Sequence, residues 1–155
     1  MITQDLLAPA YCLSFCQLSV SSQKRLFEIV ATEMSLNLDS LQAGDLLQQL
    51  LAREKLGSTA LGQGVAIPHC RTSNCDQPIG CVVTLSEAIE FNAPDDQPVD
   101  IVFFLVVPSA ASEAHLQLLA RLARLFSDTK RCADLRRTQS EEELKQCILQ
   151  SLQHG

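Results

Sequence analysis

Only three histidines occur in the 155-residue chain, His69, His115 and His154. Imidazole is the side chain whose ordinary pKa leaves a neutral, nucleophilic nitrogen available near pH 7. His69 stands in the stretch GQGVAIPHCR, Gly62 to Arg71. The apolar run Val65-Ala66-Ile67 reads as a short strand, and Pro68 ends it, because proline has no N–H for a ladder and fixes its own φ. That strand would deliver His69 to its end. Glycines at 57, 62 and 64 let the backbone come close to a bound group. An ordinary loop histidine can occupy the same setting, so this stretch alone does not assign a role.

His115 lies a few residues after Pro108, in the first turn of a predicted helix. With Ser112 as N-cap it takes position N3. A helix N-terminus favours anions and keeps a nearby imidazole neutral, so the ring can give one N–H to a phosphate. The plain alternative is a solvent-exposed first-turn residue. Arg53 is the third candidate, in the stretch AREKLGST. Arg53, Glu54 and Lys55 fall in the last turn of a helix, where cations suit the dipole. The functional reading is a guanidinium that stabilises phosphoryl charge. Ser58 and Thr59 offer hydroxyl donors and Arg71 a further positive charge. His154 is next to last and is given no role.

The elements that must position these residues follow from hydrophobic period. A first helix is expected over about Ser22 to Met34, with Leu26, Ile29, Val30 and Met34 on one stripe. A second covers about Ser40 to Lys55, with Asp39 as N-cap, Gly57 as stop and Leu46, Leu47, Leu50 and Leu51 on its face. The runs at 79–85 and 99–107 are β-branched and apolar. The second is apolar at nearly every position, which marks a central strand covered on both faces. AIEF is a possible short strand, and NAPDDQP a loop. Helices return over about Glu113 to Ser127, with Leu116, Leu119, Leu122, Ala123 and Phe126 inward, and over about Lys130 to Arg136. A last helix opens with the capping box Ser140 to Glu143 and turns Leu144, Cys147, Ile148 and Leu152 inward. The expected fold is an α/β layered sandwich, a small central mixed β-sheet with helices on both faces, formed by residues 1–155 as a single domain.

Composition limits the function classes. Hydrophobic residues make up 46% and charged residues 19%, a globular balance, and the net charge is −6. An acidic chain argues against nucleic acid or an anionic membrane as main partner. The N-terminal stretch lacks the positive region of a signal peptide, and no apolar run reaches membrane-spanning length, so a cytoplasmic protein without membrane insertion is expected. The seven cysteines are an odd number and include no CxxC pair, which fits reduced thiols. A metal site from His69, Cys70 and Cys75 lacks zinc spacing and a fourth ligand. No metal and no cofactor are expected.

The block REKLGSTALGQGVAIPH resembles the active-site segment of phosphotransferase-system EIIA domains of the fructose/mannitol class, nearest the nitrogen-regulatory branch (EIIA-Ntr). FNAPDDQPVDIVFFLVVP, then His115-Leu116, then RRTQSEEELKQCI extend the likeness from about Ser22 to Ile148. The resemblance implies an EIIA-like α/β sandwich. It implies that His69 accepts a phosphoryl group from a small histidine phosphocarrier protein, itself charged by an enzyme I that uses phosphoenolpyruvate. It implies that His115 hydrogen-bonds that group or orients His69, with Arg53 as the family's arginine. Cys70-Arg71 stands where this branch usually has Gly-Lys; Arg71 keeps a positive charge, and Cys70 makes a redox-sensitive thiol conceivable if its pKa is lowered. Since the chain carries neither a permease nor an EIIB domain, regulation of target proteins through the phosphorylation state is expected. A sugar-specific EIIA serving a separate EIIB, and a phosphorylation-independent binding module, stand as alternatives.

Overall fold

The computed structural model describes residues 11–110 and 113–154; the side chains of Ala114, His115 and His154 lie outside that description. The chain forms β1 (Cys12–Leu18), α1 (Gln23–Asn37), α2 (Ala43–Leu56), β2 (Ala60–Gly62), β3 (Val65–Ala66), β4 (His69–Thr72), β5 (Ile79–Ile89), β6 (Val99–Pro108), α3 (Glu113–Phe126), α4 (Thr129–Arg137) and α5 (Glu141–His154). The strands make one mixed sheet in the order β1-β5-β6-β3-β2, with β4 also paired to β6. β1 runs parallel to β5, β5 antiparallel to β6, and β3 and β4 both parallel to β6.

β6 is buried at eight of its ten positions, as its unbroken apolar run requires, and separates two cores. On one face α1 and α2 cover the sheet with Leu26, Phe27, Val30, Met34, Leu46 and Leu50, against Val83, Val102 and Phe104. On the other, α3, α4 and α5 bring Leu118, Leu122, Leu135, Leu144 and Ile148 onto Val65, Ile101, Phe103 and Leu105. The expected mixed sheet with helices on both faces is therefore present. The first core is tied by Phe27, whose ring meets Phe104 edge-on at 5.1 Å and Phe91 at 6.2 Å. Burying each such ring contributes roughly 2–3 kcal/mol.

Several boundaries differ from the sequence reading. The first helix starts at Gln23, one residue from the expected Ser22, and Ser22 caps it by accepting from the Arg25 N–H at 3.2 Å. Within α1, Phe27 is buried where Ile29 is only half-buried. The second helix starts at Ala43 rather than Ser40, and Asp39 does not cap it. Leu41 is drawn into the core by a turn in which its N–H bonds the Leu38 carbonyl, so the helix begins only after that turn. β1 opens the fold without having been read as a strand, because its seven residues are mostly half-buried and lack a clean alternation. β2 was also unread, at three residues. β5 runs on through Ala88-Ile89, which joins the start of AIEF to the strand before it. In α3 the inward face is Leu118, Leu122, Leu125 and Phe126, with Leu119 half-buried against the same core; Leu116 is 56% exposed, for reasons the site makes plain.

Candidate functional site

The segment carrying His69 is built by a tight hairpin. Gly62 pairs with Val65 across a two-residue turn in which Gln63 (φ 58°) and Gly64 (φ 83°) are both left-handed. Two positive φ values are what a hairpin turn matching the strand twist requires, which gives the GQG stretch its structural reason. After Ala66 the regular strand is interrupted at Ile67 and Pro68. It resumes at His69 with unchanged register, Val65 lying opposite Ile101 and His69 opposite Leu105. His69 therefore opens a strand, where the sequence reading had Pro68 and His69 closing one. The reason is that Pro68 lacks only a donor. Its carbonyl still accepts from the Leu105 N–H at 2.9 Å, so pairing survives the proline.

Since β6 is bonded by the carbonyls of Gly64, Pro68 and Thr72, the intervening Ile67 turns its backbone away from that strand. Its N–H bonds the Thr59 carbonyl at 3.1 Å, and its carbonyl lies 2.7 Å from His69 Nδ1. A carbonyl oxygen only accepts, so Nδ1 carries the proton and Nε2 keeps the free lone pair. Partial burial is the main influence lowering the His69 pKa below the ordinary histidine value. Arg53 lowers it further, against the raising effects of the Ile67 bond and of Glu54. The ring is thus neutral at pH 7 and its nucleophilic nitrogen is fixed.

His69 lines a cavity of about 640 Å³ with Arg53 and Arg71. Ala52, Arg53 and Leu56 of α2 form one wall, Leu116 and Leu119 of α3 another, and β4 and β6 the floor. Leu116 is exposed because it faces this opening rather than the core. His69 and Arg71 share one side of β4, two residues apart, while Cys70 and Thr72 are buried. In an acidic chain this cavity gathers two arginines beside a neutral imidazole, an arrangement suited to a phosphate. Arg53 also serves its helix, donating to the Gly57 carbonyl at 2.9 Å.

The remaining candidates are placed as follows. His115 is the third residue of α3, whose Leu116 and Leu119 bring that first turn to the cavity rim; its side chain, and Ser112, lie outside the described residues. Ser58 is turned away from His69: its hydroxyl donates to the Phe91 carbonyl at 2.7 Å, and it lines a neighbouring cavity. Thr59 is buried, and its hydroxyl donates to Glu54 at 2.7 Å, so neither side chain is a free donor at the cavity. Glu54 was not singled out from the sequence, since a glutamate in a charged helix end gives no signal. Cys70 is the reverse of a reactive thiol: burial pushes its pKa up to about 12. All seven cysteines are free. Among the described residues, no helix is long and apolar enough to cross a membrane.

Comparison with known proteins places this architecture. Residues 12–151 match the family model described as "Phosphoenolpyruvate-dependent sugar phosphotransferase system, EIIA 2". The chain is 41% identical over 134 residues to a nitrogen regulatory protein of Pseudomonas aeruginosa, covering 86% of each chain. It is 40% identical over 128 residues to the nitrogen regulatory protein of Escherichia coli, covering 82% of this chain and 78% of that one. The crystal structure of nitrogen regulatory protein IIA-Ntr from Neisseria meningitidis superposes with a TM-score of 0.79 at 40% identity, over 92% of this chain and 96% of that one. The mannitol IIA of Escherichia coli, at 21% identity and a TM-score of 0.68 over 90% and 94% of the two chains, shares the fold. The match over residues 12–151, together with relatives near 40% identity along most of their length, shows that the chain belongs to the EIIA 2 family of the phosphoenolpyruvate-dependent sugar phosphotransferase system.

Proposed function

We propose that this chain is a phosphocarrier and regulator of the nitrogen-related phosphotransferase system, acting in the cytoplasm, that accepts a phosphoryl group on His69 Nε2 from a histidine phosphocarrier protein. The observation that carries the reading is the bond from His69 Nδ1 to the Ile67 carbonyl, which leaves Nε2 as the free nucleophile beside Arg53 and Arg71. In the transfer, the Nε2 lone pair forms a bond to phosphorus. The bond from phosphorus to the donor's imidazole nitrogen breaks, and its electron pair stays with the donor ring. The Nδ1 proton does not move. Arg53 and Arg71 offset the charge on the phosphoryl oxygens, and His115 is assigned a supporting hydrogen bond to the same group. The names of the most similar relatives support the nitrogen branch, and the phosphorylation state is then the signal read by target proteins.

The test is intact-mass spectrometry after incubation with phosphoenolpyruvate, enzyme I and the histidine phosphocarrier protein, held at alkaline pH. Wild type should gain one phosphoryl group and His69→Ala none. No gain in wild type, with a donor that charges another EIIA, would replace the proposal with a phosphorylation-independent binding module. Onward transfer to a fructose or mannitol EIIB at the rate of a sugar-specific EIIA would replace it with a transport role.

A further inference from the structure

Arg53 and Glu54 leave the last turn of α2 in different directions. Arg53 enters the His69 cavity, whereas Glu54 lines the neighbouring one, of about 520 Å³. The Glu54 carboxylate is fully engaged there by one residue. Its Oε2 accepts the Thr59 backbone N–H at 3.0 Å and its Oε1 accepts the Thr59 hydroxyl at 2.7 Å. Thr59 is 6% exposed and Glu54 half-buried, so the clamp is partly shielded from water, which strengthens its charge-assisted bonds. The Thr59 carbonyl in turn accepts from the Ile67 N–H at 3.1 Å, and the Ile67 carbonyl holds His69 Nδ1 at 2.7 Å. Four residues, each holding the next, run from a carboxylate to the reactive ring.

The geometry points to Glu54 as a positioning residue for phosphoryl acceptance, acting on the His69 ring through Thr59 and the Ile67 carbonyl. This rests on the reading of His69 as acceptor. The chain does three things at once. It closes the α2–β2 connection, so that Thr59 is fixed relative to the helix that carries Arg53. It fixes the edge of Ile67 that faces away from β6, and with it the carbonyl that holds the ring. It also sets a negative charge near an imidazole that becomes cationic when Nε2 bonds to phosphorus while Nδ1 keeps its proton. A carboxylate behind a nucleophilic histidine fixes tautomer and orientation in the same way when it touches the ring; here a buried threonine and one peptide carbonyl stand between. The same charge raises the affinity of His69 for a proton, against the opposing effect of Arg53.

Two variants separate charge from tether. Glu54→Gln keeps the shape and an acceptor oxygen but removes the charge. Thr59→Val keeps the volume and the N–H but removes the hydroxyl. Lys55→Gln, an exposed neighbour in the same turn, is the control. Nitrogen-15 spectra of histidine-labelled protein report the His69 tautomer and titration midpoint, and amide spectra report the fold. Glu54→Gln should keep native amide spectra, lower the His69 midpoint, and slow acceptance between about tenfold and about a hundredfold at a pH where both proteins hold the ring neutral. Thr59→Val should slow it less and reduce the Nδ1–H tautomer fraction; Lys55→Gln should match wild type. Acceptance by Glu54→Gln within about twofold of wild type would overturn the role, as would equal slowing by Lys55→Gln. If wild type takes no phosphoryl group, the acceptor reading fails on its own account. The spectra then decide the positioning: an unchanged midpoint and tautomer in both variants overturn it, and a shift in Glu54→Gln absent from Lys55→Gln supports it. Should Glu54→Gln not fold, Thr59→Val is judged by the same rate and tautomer readouts.

Discussion

Replacing Gly64 by alanine tests how the hairpin before His69 is held. Gly64 has φ +83°, and a Cβ there would stand 2.8 Å from Arg136 Nη2 and 3.0 Å from Asp100 Oδ1. The Arg136 guanidinium is not free to retreat. Its Nε donates to both Asp100 oxygens at 3.1 and 3.0 Å, and its Nη2 to Asp100 at 2.9 Å and to the Gln63 carbonyl at 3.1 Å. The left-handed backbone costs an alanine about 1 kcal/mol. The ion pair is about a third exposed on each side, so losing it costs only about 0.5–1 kcal/mol. The bond to the Gln63 carbonyl adds about 1 kcal/mol, and the stiffer unfolded chain returns about 0.5 kcal/mol. Gly64→Ala should therefore destabilise by about 2–2.5 kcal/mol, a fall in Tm of about 5–10 °C for a chain of this size. The assay is urea and thermal unfolding of a double-mutant cycle with Arg136→Ala. With the guanidinium gone, the same glycine substitution should cost only about 0.5 kcal/mol, the backbone strain less the gain from the stiffer unfolded chain. An equal cost in both backgrounds would refute the clamp, and a cost below about 1 kcal/mol in the wild-type background would refute the strain.

Other expectations concern the cavity. Arg53→Met should slow phosphoryl acceptance by about a hundredfold, as loss of one charge-stabilising donor does, with the fold retained in amide spectra. Because the His69 pKa is lowered, the ring stays deprotonated through the ordinary histidine range, so acceptance should rise with pH to a plateau whose midpoint lies below about 6.5, measured as the pH–rate profile. The sign for stability is the same: unfolded His69 binds a proton that the folded ring resists, so His69 adds a destabilisation as pH falls from about 6.5 toward the folded midpoint. Iodoacetamide should leave Cys70 unmodified in the native protein and label it on unfolding, as mass mapping would record.

What the sequence made legible was whatever a local pattern determines. The run at 99–107 declared a strand covered on both faces, and Ser22 and Ser140 declared helix starts, because each depends on neighbours a few residues away. β1 was hidden because its identity as a strand comes from parallel pairing with β5, about 70 residues distant, and its own residues are only half-buried. The inward face of α3 was misjudged for a related reason. Leu119 packs half-buried against the core as well as lining the cavity, and only the opening between α2 and α3 shows that Leu116 borders that cavity instead of the core. At the site, Arg53, His69 and Arg71 were legible by residue type, and the fold brings them together. Ser58 and Thr59 were not, since a hydroxyl's direction is set by which carbonyl or carboxylate lies nearest: Phe91 in one case, Glu54 in the other. Glu54 itself needed three dimensions, because its link to His69 crosses two loops.

The unchanged register of β3 and β4 along β6 makes this stretch a ruler. Val65 and His69 are measured off against the same strand, with three residues counted between them. Substitutions at Ile67 could still leave a carbonyl there to hold the ring, since the holding group is backbone. A single inserted or deleted residue could not be absorbed, because successive side chains alternate between faces. His69 would exchange places with a neighbour of opposite facing, and the cavity would receive a buried thiol or a proline instead of an imidazole. What is fixed in this segment is its length, more than most of its letters.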